Sequence, residues 1–306
     1  METKYGSTKV IETPVYVWHM FSTGTGTPIV VVPPHAGRDW TISLNLIKVA
    51  VQTGRPVVAF ELKSATWMTN NTSVSDLVNA IGAIHEFLGV DIEIVGLCQG
   101  GWVSSIYTAQ NPDNVKKLAV FVAPINTNCA PDNLIEKHMR KPFVVEMQRM
   151  VVMMNLGLQL GALQWLAFSM VDPHQIYVQR HLDRAEMVRN SDEVGLAKWD
   201  KNNAWYDNKL DLAGVWFMDA LENLFRDNRL YDGTWRVNGK LVKLESITCP
   251  THCYAGRTDN ITDSRQVLAL ADKVSGPSFK YILEGGHTAG WTGRKGLQTF
   301  KETFLL

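Results

Sequence analysis

Ile92-Glu93-Ile94-Val95-Gly96-Leu97-Cys98-Gln99-Gly100-Gly101 is the stretch from which the rest of the chain is read. An apolar run that meets a Gly-x-Cys-x-Gly turn and continues as Trp102-Val103-Ser104-Ser105-Ile106-Tyr107 predicts a strand, a sharp turn and a helix, with a thiol at the apex. A side chain held there is placed to attack an acyl carbon and form a covalent intermediate. Gly96 and Gly100 permit the close backbone approach of such a turn, and Gly101 leaves room for substrate or a neighbouring strand. Taken alone, the motif also fits a buried structural thiol.

The flanking sequence has the rhythm that the turn requires. Ile29-Val30-Val31-Val32, entering a loop at Pro33-Pro34, reads as the first core strand. A helix over 41–53 ending near Gly54, a strand Pro56-Val57-Val58-Ala59-Phe60 and a helix over 75–88 stopping at Gly89 follow. Leu118-Ala119-Val120-Phe121-Val122 is the next strand. This alternation predicts an α/β fold with a mostly parallel central sheet and helices on both faces. The period breaks after residue 125, and from about 131 to 235 the chain turns helical, aromatic and methionine-rich. The strand pattern resumes over 244–256 and at Phe279-Lys280-Tyr281-Ile282-Leu283. The expected organisation is a core built from 1–130 and 236–306 with a helical cap inserted at 131–235.

Composition narrows the function classes. Lys plus Arg and Asp plus Glu are 30 each in 306 residues, so the chain carries no electrostatic footprint for nucleic acid. Cys98, Cys129, Cys249 and Cys253 have neither zinc-knuckle spacing nor the density of a disulfide scaffold. Although His252 lies between the last two, that pair reads as strand and not as a metal site. The glycines lack the Gly-x-Gly-x-x-Gly arrangement of a dinucleotide site, and no cofactor is expected. Residues 1–10 are polar, without the apolar core of a signal peptide, which together with a nucleophilic thiol favours a cytoplasmic setting. The uncharged run 150–171 is long enough in principle to span a bilayer, but Asn155, Gln159 and Gln164 interrupt it. A buried pair of cap helices is the plain expectation, with a plastic Met- and Leu-rich surface for a greasy or polymeric ligand as the alternative.

A thiol nucleophile needs a base, and the base needs a partner to orient it. In an α/β-hydrolase arrangement both come late in the chain, the acid after one strand and the histidine after the last. Asp259 follows Tyr254-Ala255-Gly256-Arg257-Thr258, and His287 follows Tyr281-Ile282-Leu283-Glu284-Gly285-Gly286. Asp259 has a competing use as a cap for the segment near Thr262, His287 as a solvent-facing loop residue, and Asp263 reads as a first-turn helix aspartate. His19 and His252 look strand-bound, His85 helical, and His138, His174 and His181 belong to the cap. For a developing oxyanion the backbone N–H of Gln99 is one candidate donor, and an N–H of the loop carrying His35 and Ala36 is the other. The His35 side chain could instead orient an acyl group or the loop. Met147, Met150, Met153, Met154, Trp165, Phe168, Trp199, Trp205, Trp216 and Phe217 could line an apolar acyl channel, with ordinary packing as the competing use.

Three segments, Gly96-Leu97-Cys98-Gln99-Gly100-Gly101, Gly256-Arg257-Thr258-Asp259-Asn260-Ile261-Thr262 and Gly286-His287-Thr288-Ala289-Gly290, carry a family likeness. The chain resembles the polyhydroxyalkanoate synthase and intracellular polyhydroxyalkanoate depolymerase branch of the α/β-hydrolase superfamily, over roughly residues 28 to 300. The resemblance implies a cysteine, aspartate and histidine handling hydroxyacyl groups, here Cys98, Asp259 and His287. It implies hydroxyacyl esters, oligoesters or hydroxyacyl-CoA as substrates, and leaves a hydrophobic polymer granule and a second copy of the chain open as partners. Pro33-Pro34-His35-Ala36-Gly37-Arg38 and the stretch after His287 look depolymerase-like, whereas Gly100-Gly101 looks synthase-like. Hydrolysis is the leading expectation, acyl transfer to a growing chain the alternative. A granule-associated protein without activity stands as a third reading.

Overall fold

The computed structural model describes residues 6–35, 40–170 and 173–306, with the backbone alone for 134–136, 168, 175, 198, 201–202 and 204–207. Its principal strands are β1 (Thr8–Glu12), β2 (Tyr16–Thr23), β3 (Ile29–Val32), β4 (Pro56–Leu62), β5 (Ile92–Leu97), β6 (Val115–Phe121), β7 (Thr251–Gly256) and β8 (Ser278–Leu283). They form one sheet in the order β1-β2-β4-β3-β5-β6-β7-β8. From β4 to β8 every pairing is parallel, while β2 runs antiparallel to both of its neighbours. This is an α/β-hydrolase fold, the class expected from the alternation of apolar runs and helical stretches.

The period of two in β3 builds both cores. Val30 and Val32 pack with Trp18, Phe60 and Trp102 on one face, while Ile29 and Val31 pack with Leu46, Ile47, Phe300 and Phe304 on the other. Such double-sided burial explains why β3 and β5 read as uninterrupted apolar runs. Helices α1 (Leu44–Val51), α2 (Val74–Leu88) and α3 (Gln99–Gln110) connect the central strands. The start of α2 is fixed by Ser73 and Asp76, which satisfy each other's backbone N–H in a capping box, and its end by Gly89 at φ +67°. At the end of the sheet remote from Cys98, Arg55 Nη2 lies 2.6 Å from Glu93 Oε2, and Lys117 Nζ donates to the Phe304 carbonyl at 2.7 Å. These contacts tie β5, β6 and the C-terminal segment together.

Four expectations need correction. The first core strand is β2 and not β3: Trp18 is fully buried against Phe60, with ring centroids 5.1 Å apart. Its antiparallel pairing with β4 lies outside the strand–helix rhythm that was followed from residue 29. The helix expected over 41–53 opens as a 3-10 turn, Trp40–Ser43, before α1. The stretch 244–256 is not one strand; Leu244–Ser246 is a 3-10 turn, and Pro250, which lacks an N–H, precedes β7.

The fourth correction concerns the helical segment, which contains α4 (Leu134–Met139), α5 (Pro142–Met154), α6 (Gly161–Ser169), α7 (Arg180–Arg189), α8 (Glu193–Asp207) and α9 (Gly214–Asp219). The run 150–171 is not a buried helix pair. Leu156 and Gly157, both at positive φ, separate α5 from α6, and Val145 and Val152 form the buried edge of α5. Phe143, Met147, Met150 and Met154 recur at helical spacing on its outer side, and Met153 and Met154 are 71% and 80% exposed. Val171 lies outside the described residues. Among those residues no helix is long and apolar enough to cross a membrane.

Candidate active site

The turn after β5 puts Cys98 at φ +51° and ψ −115°, a backbone conformation that L residues adopt only when their surroundings impose it. Three contacts impose it here. Cys98 N–H donates to the Phe121 carbonyl at the end of β6 (2.8 Å), and Gly101 N–H donates to the Cys98 carbonyl (2.9 Å). A Cβ on Gly100 would stand 2.1 Å from the Val32 carbonyl oxygen, so α3 can begin there only with glycine. Gly101 serves the neighbouring-strand option, because its missing Cβ would meet Val120 and Ala123.

Asp259 lies in the loop after β7 and is fully buried, and His287 lies in the loop after β8 with 14% of its side chain exposed. The imidazole Nδ1–H donates to Asp259 Oδ2 at 2.8 Å. Asp259 Oδ1 accepts from the N–H groups of Ile261 (2.9 Å) and Thr262 (3.0 Å). Asp259 therefore divides its two oxygens, one for the loop and one for the histidine. Asp263 instead caps α10 (Ser264–Leu268) by accepting from Arg265 N–H.

The Cys98 side chain adjoins the His287 imidazole and acts on its charge. Burial alone would lower its pKa, but the neighbouring Cys98 side chain, then the Asp259 carboxylate, outweigh this and push it up to about 10. The imidazole thus favours the charged form while it faces the sulfur. Trp291 stands edge-on to the ring at 5.9 Å.

Gln99 is the first residue of α3, where backbone N–H groups have no intrahelical acceptor. His35 is buried against Phe60 and Trp216, and Ala36 lies outside the described residues. Cys249 and Cys253 are buried, which pushes their thiols up to about 11 and about 12, and His252 Nδ1 lies 3.2 Å from Tyr281 Oη. Among the described residues no group of three His, Cys, Asp or Glu is arranged for a metal ion. As for the channel candidates, Trp216 and Phe217 are buried, Met147, Met150, Met153 and Met154 face outward, and the Phe168 and Trp205 side chains are outside the description.

Two features escaped the sequence reading. Arg257 and Glu284 form an ion pair at 2.6 Å that joins the Asp259 loop to the His287 loop, legible only once β7 and β8 are known to be neighbours. Val122 has φ +41° at the end of β6, beside Cys98, and a β-branched residue gives no sequence signal for such a conformation.

No protein-family model matches the chain. It is 24% identical over 271 residues to the poly(3-hydroxyalkanoate) polymerase subunit PhaC of Allochromatium vinosum, covering 85% of this chain and 74% of the relative. It is 25% identical over 256 residues to the subunit of the same name from Synechocystis, covering 80% and 67%. The chain is a distant relative of these polymerase subunits. Among solved structures it superposes on an Exiguobacterium antarcticum esterase with a TM-score of 0.60 at 14% identity, covering 95% of this chain and 94% of the other. A Paleococcus ferrophilus monoacylglycerol lipase gives 0.59 at 16%, covering 92% and 96%. These likenesses establish the α/β-hydrolase fold.

Proposed function

We propose that this chain is a cysteine-nucleophile acyl-transfer enzyme acting on hydroxyacyl esters or thioesters, with Cys98, His287 and Asp259 as its catalytic groups. The observation that carries the reading is the His287 imidazole bonded to the buried Asp259 carboxylate and held in its charged form in part by Cys98, which sits in a strained turn. The Cys98 thiol gives its proton to His287 and its sulfur attacks the acyl carbonyl, while the backbone N–H of Gln99, with one from the His35–Ala36 loop, receives the oxyanion. His287 gives a proton to the departing oxygen or sulfur, and Asp259 holds the imidazolium in place. Water, deprotonated by His287, then attacks the acyl-cysteine and releases free hydroxy acid with the thiol restored. The helical segment 131–235 acts as the cap over this site.

Hydrolysis is the leading direction, from the depolymerase-like loops at His35 and after His287. The second reading is transfer of the acyl group to a hydroxyl-terminated chain, favoured by relatives that are themselves named polymerase subunits. Both share the first half-reaction. Intact-protein mass analysis after brief mixing with a 3-hydroxyacyl-CoA or a hydroxyacyl oligoester, alongside Cys98→Ala, tests it. A Cys98-dependent acyl adduct is expected, with free acid marking the hydrolase and chain growth the transferase. No adduct and no product from either donor would overturn the enzymatic reading and leave binding without catalysis.

A further inference from the structure

His35 stands in the loop leaving β3, whose Val32 and Pro33 carbonyls abut Gly100 two residues after Cys98. Its ring is 2% exposed and set edge-on between Phe60 of β4 and Trp216 of α9, with centroids 5.2 Å and 6.1 Å away. Neither ring nitrogen has a hydrogen-bond partner among the described residues, and neither does the Trp216 indole Nε1. A buried imidazole left in this state is destabilising, and an apolar ring would fill the same space without that penalty. The three unsatisfied atoms define what would complete them. A neutral imidazole offers one donor and one acceptor, and an indole offers one donor. An ester carbonyl would leave the bare imidazole nitrogen unpaired, as would a carboxylate. A hydroxyl is the group of a hydroxyacyl substrate that can donate to the bare nitrogen, and its oxygen can accept from the Trp216 N–H at the same time.

We propose that the side chains of His35 and Trp216 recognise the hydroxyl of a hydroxyacyl group bound for transfer to Cys98, which makes His35 a specificity-determining residue. The inference rests on the acyl-transfer reading above and deepens it. Burial pushes the His35 imidazole down to about 3, so the acceptor nitrogen is bare throughout the neutral range.

The test compares a 3-hydroxybutyryl thioester with its deoxy counterpart, a butyryl thioester, both of N-acetylcysteamine. The rate of Cys98 acylation by each is read by intact mass for wild type, His35→Phe and Trp216→Phe, with thermal unfolding as the check on folding. The quantity of interest is the ratio of the two rates, which a general loss of activity does not move. Wild type is expected to favour the hydroxylated thioester, and each folded variant to lose about fivefold of that preference, the size of one hydrogen bond. The inference is overturned if wild type acylates equally fast with both, or if both variants keep the wild-type ratio. A wild-type protein that forms no adduct with either thioester overturns the acyl-transfer reading, and this inference with it.

Discussion

At the scale of the residue, Asp259 does two jobs with two oxygens, and that division makes its isosteric replacement informative. In Asp259→Asn the single amide oxygen is claimed by the N–H groups of Ile261 and Thr262, which turns the NH2 toward His287. The imidazole must then present a lone pair at Nδ1 and keep its proton on Nε2, the wrong tautomer for drawing a proton from the thiol. The expected loss in kcat is on the order of 10³- to 10⁴-fold with little change in stability, measured by steady-state turnover alongside urea unfolding. A fall of less than tenfold would show that Asp259 is a loop cap only.

His287 adds a pH dependence whose sign is fixed. Its folded-state pKa of about 10 lies above the ordinary 6.5, so the native state binds this proton more tightly than the unfolded chain. The stability it contributes is complete below about pH 6.5, declines as the pH rises and is gone above about pH 10. The gap in urea midpoint between wild type and His287→Gln should therefore narrow steadily from pH 7 to pH 10. A gap that widens over that range would contradict the raised His287 pKa.

At the scale of the element, the junction of β5 and α3 is held by backbone approach, which no side-chain rearrangement can relieve. Gly100→Ala would force a methyl group to 2.1 Å from the Val32 carbonyl oxygen. The expected destabilisation is about 3 kcal/mol or more, seen as a lowered urea midpoint, with loss of the Cys98 adduct in whatever protein still folds. Much of this level was legible in the sequence: apolar runs bounded by Gly and Pro marked β3 to β6, and the helical spacing over 75–88 with its stop at Gly89 gave α2, though not its Ser73 cap. The order of Cys98, Asp259 and His287 was legible too, since each follows a strand. What could not be read depends on neighbours distant in sequence. The burial of Trp18 in β2 comes from antiparallel pairing with β4, and the outward face of α5 depends on which side of the helix meets the core. The contact of His35 with Trp216 joins segments that no local pattern relates.

At the scale of the whole molecule, the Arg55–Glu93 ionic cluster and the Cys98 turn lie at opposite ends of the sheet, and the methionine-bearing side of α5 belongs to neither. Replacing Met153 and Met154 together by glutamine removes side chains that are mostly in water, so the unfolding free energy from urea titration should shift by no more than about 0.5 kcal/mol. A larger loss would mean that this face is covered in solution. Arg55, Glu93, Lys117 and the Phe304 carbonyl close the other end, and there the same experiment on Glu93→Ala should cost about 3 kcal/mol, because two cations lose their shared partner.

The place of β7 in the sheet has a consequence for how the protein is made. β6 pairs with β5 on one side and with β7 on the other, yet β7 starts at Thr251, beyond the whole helical segment. On a ribosome adding about 5–20 residues per second, β6 therefore waits on the order of ten seconds with one edge bare and the thiol of Cys98 already in its turn. During that interval the nascent chain presents a template for wrong pairing and a sulfur without its histidine. Assembly is vectorial: the Cys98 turn is built first, and the loops that carry Asp259 and His287 arrive last.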